Sequence, residues 1–317
     1  MFDTTAAGDT RSAAQDTDRR PHAVVIGSGF GGLAAAVRLG ARGYRVTVLE
    51  KLDKPGGRAY VFEQDGFTFD AGPTIVTAPF LFEELWQLAG RELADDVELR
   101  PVDPFYRMRF SDGTTFDYNG DPETMRARIA ELSPDDVEGY ERFLETSREI
   151  FEIGFQQLGH VHFGSIADMA RIAPDLIRLR GDRSVYQTVS RYVKDERLRM
   201  MLSFHPLLIG GNPFRASSIY CLISYLERHW GIHFAMGGTG ALATGLADLV
   251  TGQGNRIRYQ TQVEEIEVAD GRATGVRLKT GERLPADIVV SNADSAYTYR
   301  RMLPEHARKR WTNRKLD

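Results

Sequence analysis

The sequence predicts an α/β protein: a split Rossmann-like dinucleotide-binding domain of the glutathione-reductase type, with an inserted, mainly helical domain. Three observations carry this. An apolar run, Ala23-Val24-Val25-Ile26, enters a glycine cluster in which Gly27, Gly29 and Gly32 keep the G-x-G-x-x-G spacing. Between roughly Phe163 and Tyr225 the pattern becomes helical, with apolar residues at helical spacing broken by Gly and Pro. From Ile232 onward strand signals return and end in a second buried run, Ala286 to Ala293.

The opening unit follows from its residues. Four consecutive apolar side chains suit a parallel strand covered on both faces. Gly27 allows the tight turn, Gly29 lets backbone approach a pyrophosphate, and Gly32 lets the helix pack against the strand. Leu33, Ala36, Val37 and Gly40 share one helical face, and Gly43 ends that helix. The second strand, from Arg45, finishes on Glu50, eighteen residues past Gly32. An acid there accepts hydrogen bonds from ribose hydroxyls and disfavours a 2′-phosphate, which excludes an NADP site.

The rest is taken in order. Ala59 to Phe69 reads as a hairpin turned at Asp65-Gly66, and Ala78 to Gly90 as a helix with Leu81, Leu85 and Leu88 inward. Phe105 to Tyr118 is a second hairpin, turned at Ser111-Asp112-Gly113. Asp121-Pro122 caps a helix to Leu132, and Ser133-Pro134 opens a longer one to about Leu158. Gly237 to Gly240 opens a helix to about Val250. Strands follow at Arg256–Tyr259, Val263–Val268 and Ala273–Leu278, with turns at Asp270-Gly271 and Thr280-Gly281. The domain reading is an extension over 1–21, a nucleotide-binding segment over 22–78, the helical insertion over 79–236, and a return to the nucleotide-binding domain over 237–317. Ligands in such folds bind beyond the carboxyl ends of the strands, so the insertion is expected over the cofactor.

With 317 residues the chain can bury a sizeable core. A net charge of −4 and a pI near 6.0 argue against a nucleic-acid partner. The single cysteine, Cys221, excludes an internal disulfide and suits a reducing, cytoplasmic setting. Residues 1–20 are polar and lack the apolar segment of a secretory signal, and no run of about eighteen apolar residues spans a bilayer.

Further motifs bring a resemblance. Asp53-Lys54-Pro55-Gly56-Gly57-Arg58 and Gly66-Phe67-Thr68-Phe69-Asp70-Ala71-Gly72-Pro73-Thr74 resemble the FAD-binding amine oxidase and carotenoid desaturase superfamily. Asp136-Val137-Glu138-Gly139-Tyr140, the run from Ser203 to Phe214, Gly237 to Leu242 and Ser291-Asn292-Ala293-Asp294 are similar to bacterial phytoene desaturases. The resemblance implies FAD as cofactor. It places Gly27, Gly29, Phe30, Gly31, Gly32, Glu50, Lys51, Gly57, Arg58, Gly72, Pro73, Thr74, Val263 and Asn292 at the flavin nucleotide. It implies successive desaturation of the C40 polyene phytoene toward neurosporene or lycopene, and peripheral association with the cytoplasmic membrane. A homo-oligomer is compatible with it. A sister activity (isomerase, ketolase or C30 desaturase) and an inactive flavin-binding fragment are the alternatives. The family's last glycine-rich flavin segment is not found before Asp317, so the chain reads as the amino-terminal part of such an enzyme.

For proton chemistry, Asp168 and Arg171 lie i,i+3 on one helix, in a segment that borders the substrate cavity in the resembled family. An ordinary surface ion pair is an equal reading. His160 with His162, or His229 with His233, lack a completing Cys or carboxylate, so no metal site is expected. Arg171, Arg178, Arg180 and Arg183, beside Phe151, Phe155, Leu176, Ile177 and Leu179, read as a face for an anionic lipid surface.

Overall fold

The computed structural model describes residues 19–159, 166–179, 181–308 and 311–316. The amino-terminal extension up to residue 18, His160, His162 and Arg180 lie outside them. The chain forms two compact units, one from residues 1–73, 84–96 and 239–317, the other from 74–83 and 97–238.

The first unit is built on a parallel sheet in the order Ile288–Ser291, His22–Ile26, Arg45–Leu49, Arg256–Arg258. Register is continuous: Ala23 pairs with Ile288 on one side and Val46 on the other, and Thr47 pairs with Arg256. Ala23, Val24 and Val25 are wholly buried, as an unalternated apolar strand requires. The helix Phe30–Ala41 buries Leu33, Ala36 and Val37 and packs on the helix Thr239–Gly252. Gly40 on that face leaves room for the Gln253 side chain, whose oxygen lies 2.3 Å from where a Cβ would stand. Asn255, also buried, accepts the Val46 N–H at 2.8 Å.

An antiparallel sheet of Val263–Ala269, Arg272–Leu278 and Arg283–Pro285 closes the other side. Val263, Ile266, Val276, Leu278 and Met302 form one apolar cluster with Val24, Ile26 and Leu49. The turns Asp65-Gly66 and Asp270-Gly271 have both residues at positive φ, the type I′ geometry that matches strand twist.

The second unit is mainly helical, with helices at Pro122–Leu132, Val137–Phe151, Ile166–Arg178, Val185–Val189, Glu196–Ser203 and Leu222–Trp230. Asp121 caps the first of these by accepting the Thr124 N–H at 2.7 Å, with Pro122 at the first helical position. The motif Asp136-Val137-Glu138-Gly139-Tyr140 is a packing device. The buried Asp136 carboxylate accepts the N–H groups of Lys194 and Asp195 at 2.7 and 2.8 Å and the Ser133 hydroxyl at 2.9 Å. A Cβ on Gly139 would lie 1.9 Å from the Tyr192 carbonyl oxygen, so only glycine lets these segments meet. Phe143, Met125, Ile129, Ile150 and Leu198 form the centre of this core. Each contributes on the order of 2 kcal/mol by leaving water.

Three expectations change. In the helix Pro79–Leu88, Leu85 is buried, but Leu81 and Leu88 are exposed. Trp86 takes the inner face instead, wholly buried, with its indole N–H donating to Asp96 at 2.6 Å. The helix that starts at Val137 reaches Gln157 only by passing into a π-helical turn, Glu152–Gln157. Finally, Phe151 does not face outward. It is buried among the rings of Phe155, Tyr225 and Trp230, all within 5.3 Å between centroids, because aromatic packing outweighs the neighbouring arginines.

Candidate functional site

Because the sheet of the first unit is parallel, Ile26, Leu49, Arg258 and Ser291 end on one edge. The chain turns there at Gly27, with φ of 91°, its N–H donating to the Leu49 carbonyl at 2.8 Å. The helix from Phe30 then starts with Gly29 at its cap, no side-chain capping bond and no acid in its first turn. Its N–H groups and the positive end of its dipole are therefore left for an anion. A Cβ on Gly32 would stand 2.0 Å from the Gly27 carbonyl oxygen, so this glycine sets how closely helix and strand approach. A Cβ on Gly31 or Gly29 would meet the Asn292 amide at 2.6 and 3.0 Å. Asn292 directly follows the strand Ile288–Ser291, and its N–H donates to Ile26 at 2.9 Å, which sets its side chain over these glycines.

Gly56 and Gly57 close the cradle from the other side. The Gly56 N–H donates to Ser28 at 3.0 Å, Gly29 and Gly56 form a parallel bridge, and a Cβ on Gly57 would lie 3.1 Å from the Gly29 Cα. Arg58 is exposed and has no ion-pair partner among the described residues; Lys51 is also exposed. Gly72 rests on the Arg58 carbonyl, 2.3 Å from where its Cβ would be, and Pro73 follows it. Thr74 begins the second unit. Near the Gly56 turn, the Tyr60 hydroxyl donates to Asp53 at 2.7 Å, which lowers the Asp53 carboxyl below its usual range and raises the phenol.

Glu50 is 4% exposed. One of its oxygens accepts the N–H and the hydroxyl of Ser28 at 2.7 and 2.8 Å, and the other accepts the Leu52 N–H at 2.9 Å. A carboxylate offers roughly four acceptor positions, so one remains for a ribose hydroxyl. Ser28 was not singled out from the sequence; its signal is its place between two motif glycines, where its N–H and hydroxyl must point the same way. The main chain of Thr261 donates to the Glu50 carbonyl at 2.7 Å, two residues before Val263, whose side chain belongs to the apolar cluster.

Asp168 and Arg171 lie in the second unit on the helix Ile166–Arg178. Their charged atoms are 4.0 Å apart, and Arg171 is 77% exposed. The more elaborate polar arrangement of that unit is elsewhere, among residues whose spacing in the chain carries no signal. Glu227, wholly buried, accepts the Tyr106 hydroxyl at 2.6 Å and faces the His205 Nε2 at 3.0 Å. Burial, followed by the charge of Glu227, pushes the Tyr106 phenol far above its ordinary value. Arg228 donates to the Tyr140 hydroxyl at 2.8 Å. A neighbouring cleft of about 340 Å³ is lined by Glu141, Leu144, Glu145, Arg148, Tyr225, Arg228 and His229, a mixed lining of charged, aromatic and aliphatic side chains. Among the described residues no three side chains gather as a metal site.

An uncapped helix after a G-x-G-x-x-G turn, a buried acid ending the second strand and a G-G-R turn against the glycines define an FAD-type dinucleotide-binding protein. A family model confirms the class: residues 30–315 match flavin containing amine oxidoreductase. The chain belongs to that family, and its cofactor is FAD. It is similar to the neurosporene-forming phytoene desaturase of Cereibacter sphaeroides, 52% identical over 302 residues, which cover 95% of this chain and 58% of that protein. The lycopene-forming phytoene desaturase of Pseudescherichia vulneris is 52% identical over 283 residues, 89% of this chain and 58% of its own length. The chain thus spans less than two thirds of these relatives. Among solved structures, wild-type putrescine oxidase bound to putrescine shares the fold at a TM-score of 0.58 and 17% identity, over 92% of this chain and 62% of that one.

Proposed function

We propose that this chain is the flavin-binding and substrate-recognising part of a phytoene desaturase, which removes hydrogen from phytoene to give more conjugated carotenes such as neurosporene or lycopene. The observation that carries the reading is 52% identity to a phytoene desaturase across 95% of the chain. FAD, when bound, supplies a two-electron acceptor for the hydride lost from the polyene.

The chain's own residues have separable tasks. Gly27, Gly29, Gly31 and Gly32, with the helix N–H groups from Phe30 onward, receive the pyrophosphate. Glu50 takes a ribose hydroxyl through its remaining acceptor position, and Ser28 holds that carboxylate in place. Lys51 and the exposed Arg58 supply positive charge, with Gly57, Gly72, Pro73 and Thr74 keeping backbone close to the flavin nucleotide. Val263 contributes main chain and Asn292 its side-chain amide. Asp168 is the proposed acceptor of the proton that leaves beside the hydride, with Arg171 its ion-pair partner at 4.0 Å. Phytoene has no polar handle, so its recognition rests on apolar surface and delivery from a cytoplasmic membrane face. No described helix is long and apolar enough to cross a membrane.

The test is the absorbance spectrum of the desalted chain after addition of FAD, followed by phytoene in liposomes. Retained flavin that is bleached by phytoene supports the reading. Retained flavin that responds instead to a C30 polyene moves the substrate to a sister activity, and no retained flavin removes this chain's share of the function.

A further inference from the structure

We infer that the loop from Leu207 to Arg215 in the second unit is a preformed contact for an anionic lipid bilayer. The inference rests on the lipid-substrate reading above and assigns its membrane contact to named residues. Leu207, Leu208, Ile209 and Phe214 are all more than half exposed, on a stretch of eight residues. Large apolar groups held this far into water in one place mark an interaction surface.

The loop is held open rather than collapsed. At its base, His205 and Pro206 are buried, and His205 is tied to Glu227 at 3.0 Å. The turn is closed by the Gly211 N–H donating to Pro206 at 2.7 Å, with Gly210 in the left-handed region. Asn212 then accepts the Phe214 N–H through its side chain at 2.9 Å, and its carbonyl accepts those of Arg215 and Ala216. The start of the helix Val185–Val189 clamps the far end: the Val185 N–H donates to Ala216, that of Tyr186 to Pro213, and the Tyr186 ring lies 4.6 Å from that of Phe214.

Charge selects the partner. From His205 to Ser218 the chain carries no acid and one exposed cation, Arg215, which has no ion-pair partner among the described residues. Arg183, also without one, is brought alongside by the Ser218 N–H donating to its carbonyl at 2.8 Å. The first unit offers a contrasting apolar surface on the hairpin Val61–Gln64 and Phe67–Asp70, where Phe62, Phe67 and Phe69 are exposed. That hairpin carries Glu63, Asp65 and Asp70 and no base, so an anionic surface repels it. Apolar groups to enter the acyl boundary with arginines at headgroup level are the arrangement that a negatively charged bilayer binds.

The experiment is sedimentation of the full chain with vesicles of phosphatidylcholine alone and of equal parts phosphatidylcholine and phosphatidylglycerol, without flavin or phytoene. It can therefore fail while the desaturase reading stands, and the reverse. Partition is expected to favour the anionic vesicles. The double substitution Leu208→Ser/Ile209→Ser should weaken it more than about tenfold. Arg183→Glu and Arg215→Glu should weaken it about fivefold each at low salt, with little effect in pure phosphatidylcholine. Phe67→Ser/Phe69→Ser should leave it unchanged. Each variant is first checked for an unaltered circular dichroism spectrum and sedimentation coefficient. No partition by the parent chain, loss through the Phe67/Phe69 pair instead, or a parent dimer that the Leu208/Ile209 pair dissociates would each overturn the assignment.

Discussion

The two units each bury a glutamate, and they do it by opposite means. Glu50 sits at the end of a strand and is satisfied by its surroundings in sequence: Leu52, two residues on, and Ser28, in the turn of the adjoining strand. It keeps one acceptor position open. Glu227, in mid-helix, is satisfied by Tyr106 and His205, whose contacts bridge 121 and 22 residues. The first carboxylate is a binding group held by a local motif. The second is a clasp that joins distant segments of one core, and it makes two strong bonds where breaking either exposes no substitute.

That difference fixes what each should cost to remove. The largest effect is expected at Glu227. Glu227→Leu strands the buried His205 Nε2 and deprives the partly buried Tyr106 hydroxyl of its acceptor, and should lower stability by about 3 kcal/mol in urea titration. Glu227→Gln, which keeps an acceptor for Tyr106, should recover part of that; if both variants unfold with the parent, the clasp reading fails. Next is Gly32→Ala. Its Cβ would lie 2.0 Å from a main-chain oxygen that no side-chain rotation relieves. A loss of about 2 kcal/mol is expected, together with loss of retained flavin on desalting.

Glu50→Gln is gentler. One oxygen can still accept, so circular dichroism should not change, while FAD affinity falls about tenfold, or about 1.4 kcal/mol, by fluorescence titration. An unchanged affinity would mean that the open acceptor position is not used. The smallest effect at neutral pH is in the tyrosines of the second unit. Burial is the first cause that raises Tyr106, Tyr118 and Tyr140 above their usual value of 10.0. Below that value both folded and unfolded states keep the proton and stability is flat. Above it the unfolded chain ionises first, so stability should fall as pH rises past about 10. Phenolate absorbance that appears before the loss of helix would contradict this for the buried rings.

Several features were legible because they are local. The strand–glycine–helix–strand unit from Ala23 to Glu50, the three Asp-Gly hairpin turns and the Asp121-Pro122 cap each depend on residues within a few positions of one another. The helix face at Leu81, Leu85 and Leu88 was misread for a related reason: periodicity gives a stripe, but Trp86, one position away, fills the core better and turns the helix. Phe151 was similarly drawn inward by Phe155 one turn on and by Tyr225 and Trp230 of a distant helix. Asp136-Val137-Glu138-Gly139-Tyr140 was visible as a motif, yet its physical reason, a carbonyl of Tyr192 and two N–H groups beyond it, lies more than fifty residues downstream.

By itself, then, the sequence determined the parallel α/β plan, the glycine positions of the cradle and the acid at the end of the second strand, since each is enforced by φ, by close backbone approach or by strand burial within one βαβ unit. Only the tertiary structure decided that Ser28 holds Glu50, that Asn292 stands over the glycines, that Glu227 clasps Tyr106 to His205, and that four apolar side chains stay in water at Leu207 to Phe214. Those depend on which distant donors and rings share a volume once the core closes, and pairing across space leaves no period in a chain.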